Sequence, residues 1–150
     1  MTNLDMQNLN RKTMKHLKKS IMVGMSLLEV RSICEKFMLE NGADSFWYWN
    51  VGAFVFSGDE TTVSVSGKNY QTSERTIGKN DIITVDLSPQ NNNIWGDYAR
   101  TIIIENGKVI ENIEDIHNNE WKLGVQMEQY LHKLLIENAT INMTFEELFY

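Results

Sequence analysis

The sequence predicts an α+β domain with two N-terminal helices, an antiparallel sheet and then a long helix. Apolar residues recur three or four positions apart over residues 3–22 and again after Asp115, which is helical spacing. Two runs rich in β-branched residues, Ile82–Leu87 and Ile94–Ile104, flank a turn that contains Pro89, and they predict paired strands. The chain has 150 residues, of which 42% are hydrophobic, so it is long enough for one domain with a core.

The first helix is predicted over residues 3–22, with its apolar positions on one face. Those positions are Met6, Leu9, Thr13, Leu17 and Ile21. Basic residues lie mostly on the other side, which is typical of a solvated face, although a helix that contacts an anionic membrane surface or a partner shows the same pattern.

The second helix is predicted to start at a capping box formed by Ser26 and Glu29 and to end at Asn41–Gly42. We expect four apolar residues of this helix to face the core: Leu28, Ile33, Phe37 and Met38. The helix also carries the only cysteine, Cys34, which excludes an internal disulfide and indicates a buried structural thiol in a reducing compartment.

An aromatic run, Phe46–Phe56, predicts one or two buried strands. An aromatic platform for bases or a sugar is the alternative, but no basic residue is interleaved with the rings. Residues 57–75 are rich in Gly, Ser and Thr and predict an irregular connection.

Two aspartates lie where the predicted central strands approach their turn. Side chains alternate along a strand, so Asp86 shares a face with Ile82 and Thr84, and Asp97 shares a face with Thr101. If the chain folds back near Asn91–Asn92, both carboxylates point to the same side. Buried together among apolar residues, they need either a proton or a cation between them, and hard divalent cations prefer carboxylate oxygens. A turn residue or a solvated edge charge is the alternative interpretation of each aspartate.

The last third of the chain predicts a hairpin and two helices. Asn106–Gly107 is a hairpin turn signal, after which Lys108–Ile113 is expected to pair with the preceding strand. A helix is predicted over residues 115–138, and a second capping box joins Thr144 to Glu147. The apolar residues that this longer helix places on one side include Leu123, Met127, Tyr130, Leu131, Leu134 and Leu135.

Charge and hydropathy exclude several function classes. The net charge of −6 argues against binding to a nucleic-acid backbone, which requires a basic face. No apolar run approaches the roughly 18 residues that a membrane span needs, and the polar N-terminus does not resemble a signal peptide. We therefore expect a cytoplasmic protein without membrane or nucleic-acid partners.

The segments around the two aspartates resemble the metallopeptidase family of methionine aminopeptidases, Xaa-Pro aminopeptidases, prolidases and creatinase. The matching segments are Asn80–Leu87 (NDIITVDL) and Gly96–Thr101 (GDYART), with the aspartates eleven positions apart as in the family. Gly24–Val30 and Ser57–Gly58 resemble the segment between the family's first two helices and its S-G turn. The resemblance implies the first half of a pita-bread fold, with residues 1–150 as the N-terminal part of a single domain.

The resemblance also implies a dinuclear centre of divalent metal ions (Mn, Co or Zn), for which Asp86 and Asp97 would be the first two ligands, the second bridging both metals. The family's second half supplies a His and two Glu ligands. His16, His117 and His132 do not match that His, because they fall in helical segments. The expected function is hydrolysis of an N-terminal residue or an Xaa-Pro bond of a peptide substrate, with metal binding weak or absent and no activity in this chain alone.

One departure from the family pattern affects substrate handling. The family usually carries a substrate-binding His shortly before the first metal Asp, whereas the stretch between Ser57 and Asp81 contains no His. A catalytically inactive peptide-binding module is therefore the alternative function, and a structural domain with a hairpin charge pair is the third. We also expect association, for example as a homodimer, because half of a pita-bread fold leaves a sheet edge and an apolar face uncovered.

Overall fold

The computed structural model describes residues 1–149, which fall into two compact units: one from Met1 to Ile110 and one that begins at Glu111. The helices are α1 (Asn3–Ser20), α2 (Leu27–Glu40), α3 (Asn119–Asn138) and α4 (Phe145–Phe149). The strands are β1 (Ser45–Phe46), β2 (Ala53–Ser57), β3 (Asp81–Leu87), β4 (Pro89–Asn91), β5 (Ile94–Trp95), β6 (Tyr98–Glu105) and β7 (Lys108–Ile110). The helices and antiparallel sheets confirm the predicted α+β class.

Both N-terminal helices begin at capping boxes. In α1 the Thr2 side chain accepts a hydrogen bond from the Asp5 amide, while the Asp5 carboxylate accepts one from the Thr2 amide. Ser26 and Glu29 form the same reciprocal pair at α2, as predicted. The last residue of α2 is Glu40, Asn41 is its C-cap, and Gly42 adopts a φ of 124°. Local hydrogen bonding therefore sets these helix boundaries.

The core joins one face of α1 and one face of α2 to one face of the larger sheet. The predicted apolar face of α1 is buried throughout. In α2 the prediction for Leu28 is wrong: Leu28 is 58% exposed, while Leu27 and Val30 are fully buried. The helix starts at Leu27, and its buried face then continues through Cys34 and Met38 at helical spacing. Burial raises the pKa of the Cys34 thiol to about 12, which fits the predicted structural thiol.

The sheet that carries both aspartate-bearing segments has the strand order β2-β3-β6-β7, with every neighbouring pair antiparallel. The predicted turn at Asn106–Gly107 joins β6 to β7, and both residues have positive φ. The last strand is shorter than predicted, ending at Ile110. On β3 the odd-numbered residues are buried, three of them (Ile83, Val85 and Leu87) in the core with the helices, while Ile82, Thr84 and Asp86 are half-buried on the other face. The predicted alternation on β3 is therefore confirmed.

The aromatic run does not form continuous buried strands. Residues 47–50 form a turn between β1 and β2, with Trp49 and Asn50 at φ values of 55° and 57°. Trp49 is 57% exposed, whereas Phe54 on β2 is 6% exposed. The prediction of a buried strand is therefore wrong for the first part of this run. Strand propensity does not account for the positive-φ turn that carries the Trp49 side chain to the surface.

The connection between β3 and β6 is longer and more structured than the predicted loop. The strand prediction over Ile94–Ile104 is wrong at its start, since β5 pairs with β4 in a separate small sheet of order β1-β4-β5. The positive-φ pair that closes this small hairpin is Asn92–Asn93. The chain then turns at Gly96–Asp97 before it enters β6. The hairpin therefore forms part of the connection between the two central strands and replaces the simple loop that was predicted.

The second unit contains the two remaining helices. Asn118 caps α3 by accepting a hydrogen bond from the Trp121 amide, so the helix starts four residues later than predicted. The predicted capping box at Thr144 and Glu147 is present at α4. No residue of α3 is buried, and its apolar residues such as Leu123 and Met127 are exposed. Among residues 1–149, no helix has the length and hydropathy of a membrane span.

The side chain of Tyr70 makes hydrogen bonds to the backbone of the edge strand β2, and we expect these bonds to stabilise the fold. Its hydroxyl accepts a hydrogen bond from the Val55 amide at 2.8 Å and donates one to the Val55 carbonyl at 3.1 Å. Tyr70→Phe leaves both buried backbone groups without these bonds. We expect a loss of about 1–3 kcal/mol in the free energy of unfolding, measured by urea denaturation. Tyr130→Phe, at an exposed position of α3, is the matched control; equal effects of the two substitutions would contradict this account.

Candidate functional site

The two aspartates lie together on the open face of the central sheet. Asp86 is at the end of β3, where it is in register with Ala99 of β6 and Phe54 of β2. Asp97 immediately precedes β6, two residues before Ala99, so strand alternation brings it to the same side. The predicted adjacency of Asp86 and Asp97 is thus confirmed, although a separate hairpin, and no simple loop, connects their strands.

The two carboxyl groups are close enough to share a proton. Burial, the negative charge of Asp97 and a hydrogen bond to Asp97 together raise the pKa of Asp86 to about 6. Burial also raises the pKa of Asp97. Protonated Asp86 donates to the Asp97 carboxylate, which removes the repulsion between two charges in a partly desolvated place. As the pH rises toward neutrality that proton is lost, and a cation becomes the natural substitute.

A tight corner at Gly96 fixes the position of Asp97. The Gly96 carbonyl accepts a hydrogen bond from Trp47 Nε1 at 2.9 Å, and the Gly96 amide donates to the Pro89 carbonyl at 2.9 Å. A Cβ atom at this position would lie 2.8 Å from Asn10 Nδ2. Only glycine therefore allows α1 to approach this closely, just before the aspartate. The sequence motif contains the Gly96–Asp97 pair but carries no sign that Asn10 packs against it.

A cavity of about 180 Å³ opens beside Asp86. Its lining comprises Tyr48, Phe54, Phe56, Val63, Ser64, Val65 and Asp86. Asp86 is its only charged residue, so the walls present aromatic rings and valine side chains next to one carboxyl group. The connection over residues 57–75 thus contributes pocket walls, which its composition alone did not predict. Val63 and Val65 lie in the stretch where the family pattern has a substrate-binding His.

Arg100 and Thr101, the two residues that extend the resemblance, lie on opposite faces of β6. Thr101 is in register with Thr84 on the open face that carries Asp86. Arg100 is in register with Val85 on the other face, where its guanidinium lies 3.9 Å from the ring centroid of Tyr98. The Arg100 side chain therefore does not join the carboxyl pair.

The carboxyl pair fits the beginning of a site for divalent metal. Carboxylate oxygens are hard ligands, and two groups that share a proton are also placed to share a cation. Within residues 1–149 no group of three or more His, Cys, Asp or Glu side chains has the arrangement of a metal site. The metal role of Asp86 and Asp97 therefore remains a prediction, with two ligands from this chain.

Comparison with known proteins identifies the family and supports the fold. The sequence model of metallopeptidase family M24 matches residues 5–138, and the chain belongs to this family. Comparison with curated protein sequences finds no significant match.

Solved structures with the same fold include a prolidase from Pyrococcus furiosus, with 21% identity and a TM-score of 0.77, which covers 95% of this chain and 37% of the prolidase. An X-Pro aminopeptidase from Thermotoga maritima has 16% identity and a TM-score of 0.61, over 89% of this chain and 31% of that protein. A Xaa-Pro dipeptidase from Bacillus anthracis has 24% identity and a TM-score of 0.59, and the match covers 76% of this chain and 30% of the dipeptidase. The chain thus spans about a third of these proteins, and they support the predicted pita-bread architecture.

The raised pKa of Asp86 predicts a pH-dependent effect of Asp86→Asn in metal-free protein. Because the folded pKa of about 6 lies above the ordinary value of 3.8, the Asp86 carboxyl group makes a contribution to wild-type stability that is lost as the pH rises from 3.8 to about 6. Asparagine carries no charge, so the variant should gain about 1 kcal/mol relative to wild type at pH 8, allowing for solvent screening, and nothing at pH 4. Urea denaturation at both pH values, with chelator present, measures the difference.

Asp44→Asn is the control, because it should change the free energy of unfolding at pH 8 in the opposite direction to Asp86→Asn. Hydrogen bonds from Ser45 and from the Asn92 amide lower the pKa of Asp44, so its carboxylate favours the folded state above that pKa. Asp44→Asn should therefore lose stability at pH 8. An Asp86→Asn gain that is equal at pH 4 and pH 8 would show that its carboxyl group is not destabilised by ionisation.

Proposed function

We propose that this chain provides the first two metal ligands, Asp86 and Asp97, and part of the substrate pocket of a metal-dependent exopeptidase that hydrolyses an N-terminal residue or an Xaa-Pro bond. The observation that carries the proposal is the contact between the two carboxyl groups on the open sheet face, in a member of metallopeptidase family M24. The resemblance to prolidases and Xaa-Pro aminopeptidases supplies the substrate class.

In this proposal each part of the site has a separate task. When bound, a pair of divalent metal ions would supply Lewis-acid chemistry: it would acidify a water molecule and polarise the scissile carbonyl. Asp86 and Asp97 hold that charge, and they do so at neutral pH because Asp86 loses its proton above about pH 6. The aromatic and valine walls of the Asp86 cavity bind the apolar part of a peptide and keep water away from it.

We further propose that the 150 residues alone do not catalyse hydrolysis. Two carboxylates hold a hard cation weakly, since such ions take about six oxygen ligands. In the family that the chain resembles, the other ligands and the Glu that moves the proton lie in a second half. The expected result for this chain is metal binding without turnover of Xaa-Pro dipeptides.

Metal binding can be tested by the thermal unfolding of chelator-treated protein with and without Mn²⁺. At a tenfold excess over its Kd, a ligand that binds only the folded state contributes about 1.4 kcal/mol, or roughly 3–5 °C for a chain of this size. We expect this shift for wild type and for Asp115→Ala, an exposed acidic position in the second unit. Asp97→Ala should abolish it. A shift that persists in Asp97→Ala would contradict the assignment.

A peptide-binding module without catalysis is the second candidate. The observation that favours it is that Val63, Ser64 and Val65 line the Asp86 cavity in the stretch where the family pattern has a His. This reading predicts that Xaa-Pro peptides stabilise the protein equally in chelator and in Mn²⁺, and that they are not hydrolysed even by a longer chain with all the family's ligands. Turnover by such a chain would exclude it.

A further inference from the structure

A second cavity, of about 240 Å³, adjoins the cavity beside Asp86. Its lining comprises Phe56, Glu60, Val63, Gln71 and Ser73. Phe56 and Val63 also line the Asp86 cavity, so the two cavities share a wall. Glu60 is the only charged residue in the second lining, where it lies among an aromatic ring, a valine and two neutral polar side chains.

The charge of Glu60 is incompletely compensated. The neighbouring cation, Arg75, lies 2.6 Å from Asp59 Oδ1, and its Nη1 also donates to the Ser57 carbonyl at 2.8 Å. Its Nε is 3.5 Å from Glu60 Oε1, which is a longer contact. One guanidinium thus serves two carboxylates. The other oxygen, Glu60 Oε2, is buried without a hydrogen-bond partner among the described residues. A buried carboxylate oxygen in this condition favours an added cationic donor.

The wall that the two cavities share lies within reach of a long side chain that starts beside Asp86. Phe54 is in register with Asp86, and Phe56 follows two residues later on the same face of β2. Two residues along a strand cover about 7 Å, a distance that an extended lysine or arginine side chain spans. Its methylene groups would lie against Phe56 and Val63, as cationic side chains commonly lie along apolar surface while their charged ends reach a polar partner.

We propose that the Glu60 cavity is a subsite for the cationic side chain of a lysine or arginine residue in a peptide whose backbone lies at Asp86. This inference rests on the proposed function, because it assumes a peptide beside the carboxyl pair. It adds a preference that the carboxyl pair does not supply: the substrate class is peptides with a basic residue next to the scissile bond.

The test compares the binding of two dipeptides, Arg-Pro and citrulline-Pro, which differ by a charged guanidinium and its neutral isostere. Binding to metal-free protein is measured by calorimetry and by amide chemical shifts. We expect Arg-Pro to bind wild type about tenfold more tightly, as suits a charge-assisted hydrogen bond. Its largest shift differences from citrulline-Pro should fall on Phe56, Val63, Gln71 and Ser73.

Two matched variants localise the preference. Glu60→Gln should bind both dipeptides equally, while Glu74→Gln, which removes the same charge at an exposed position outside the cavity lining, should keep the tenfold preference. Equal affinities on wild type, a preference that survives in Glu60→Gln, or shift differences elsewhere in the chain would each overturn the proposal. Should Glu60→Gln fail to fold, the wild-type affinities and shift map decide alone.

Asp97→Ala separates this inference from the proposed function. The dipeptide comparison is made without metal, so the Arg-Pro preference should persist in Asp97→Ala while the Mn²⁺ shift disappears. A wild-type protein that shows the Mn²⁺ shift but no Arg-Pro preference would refute the Glu60 subsite only. A wild-type protein that shows the Arg-Pro preference but no Mn²⁺ shift would refute the metal assignment only, and the Glu60 cavity would remain a site for a cationic side chain.

Discussion

The antiparallel pairing of β3 with β6 is the constraint on which the site depends. It sets Asp86 opposite Ala99, and so brings Asp97, two residues earlier, onto the same open face. The helices cover the opposite face and bury Val85 and Ile102 there. A one-residue slip in this register would move the carboxyl group of Asp86 into the apolar core, so the same burial that stabilises the sheet also fixes the carboxyl pair.

The pair itself is unfavourable when both groups are charged, and the surrounding structure maintains it. Gly96 holds the corner before Asp97 through backbone hydrogen bonds and close packing against Asn10. Asp86 lies near the end of β3, the strand between β2 and β6, and its side chain is half-buried there. A rigid support that tolerates a raised pKa is typical of functional sites, because a destabilised ionised group is ready to accept a cation or a proton.

Local patterns were sufficient to predict the existence of the helices, the capping boxes that begin at Ser26 and Thr144, and the alternation of side chains along β3. Each is determined by residues within a few positions of one another, as with Ser26 and Glu29 or the alternation along β3. The β4–β5 hairpin was not predictable in this way, because β4 pairs with β1, more than 40 residues earlier in the chain. The exposed turn at Trp49 and the cavity walls at Val63 and Val65 likewise depend on contacts that distant segments make.

The central claim is that Asp86 and Asp97 form one site that holds either a proton or a metal ion. Carbon-13 NMR of the two side-chain carboxyl groups, followed as a function of pH in chelator and then in Zn²⁺, tests it most directly. The account predicts an Asp86 titration near pH 6 in metal-free protein. It further predicts that Zn²⁺ shifts both resonances and moves that titration to lower pH. Two carboxyl groups that titrate independently at ordinary values, unchanged by Zn²⁺, would contradict it.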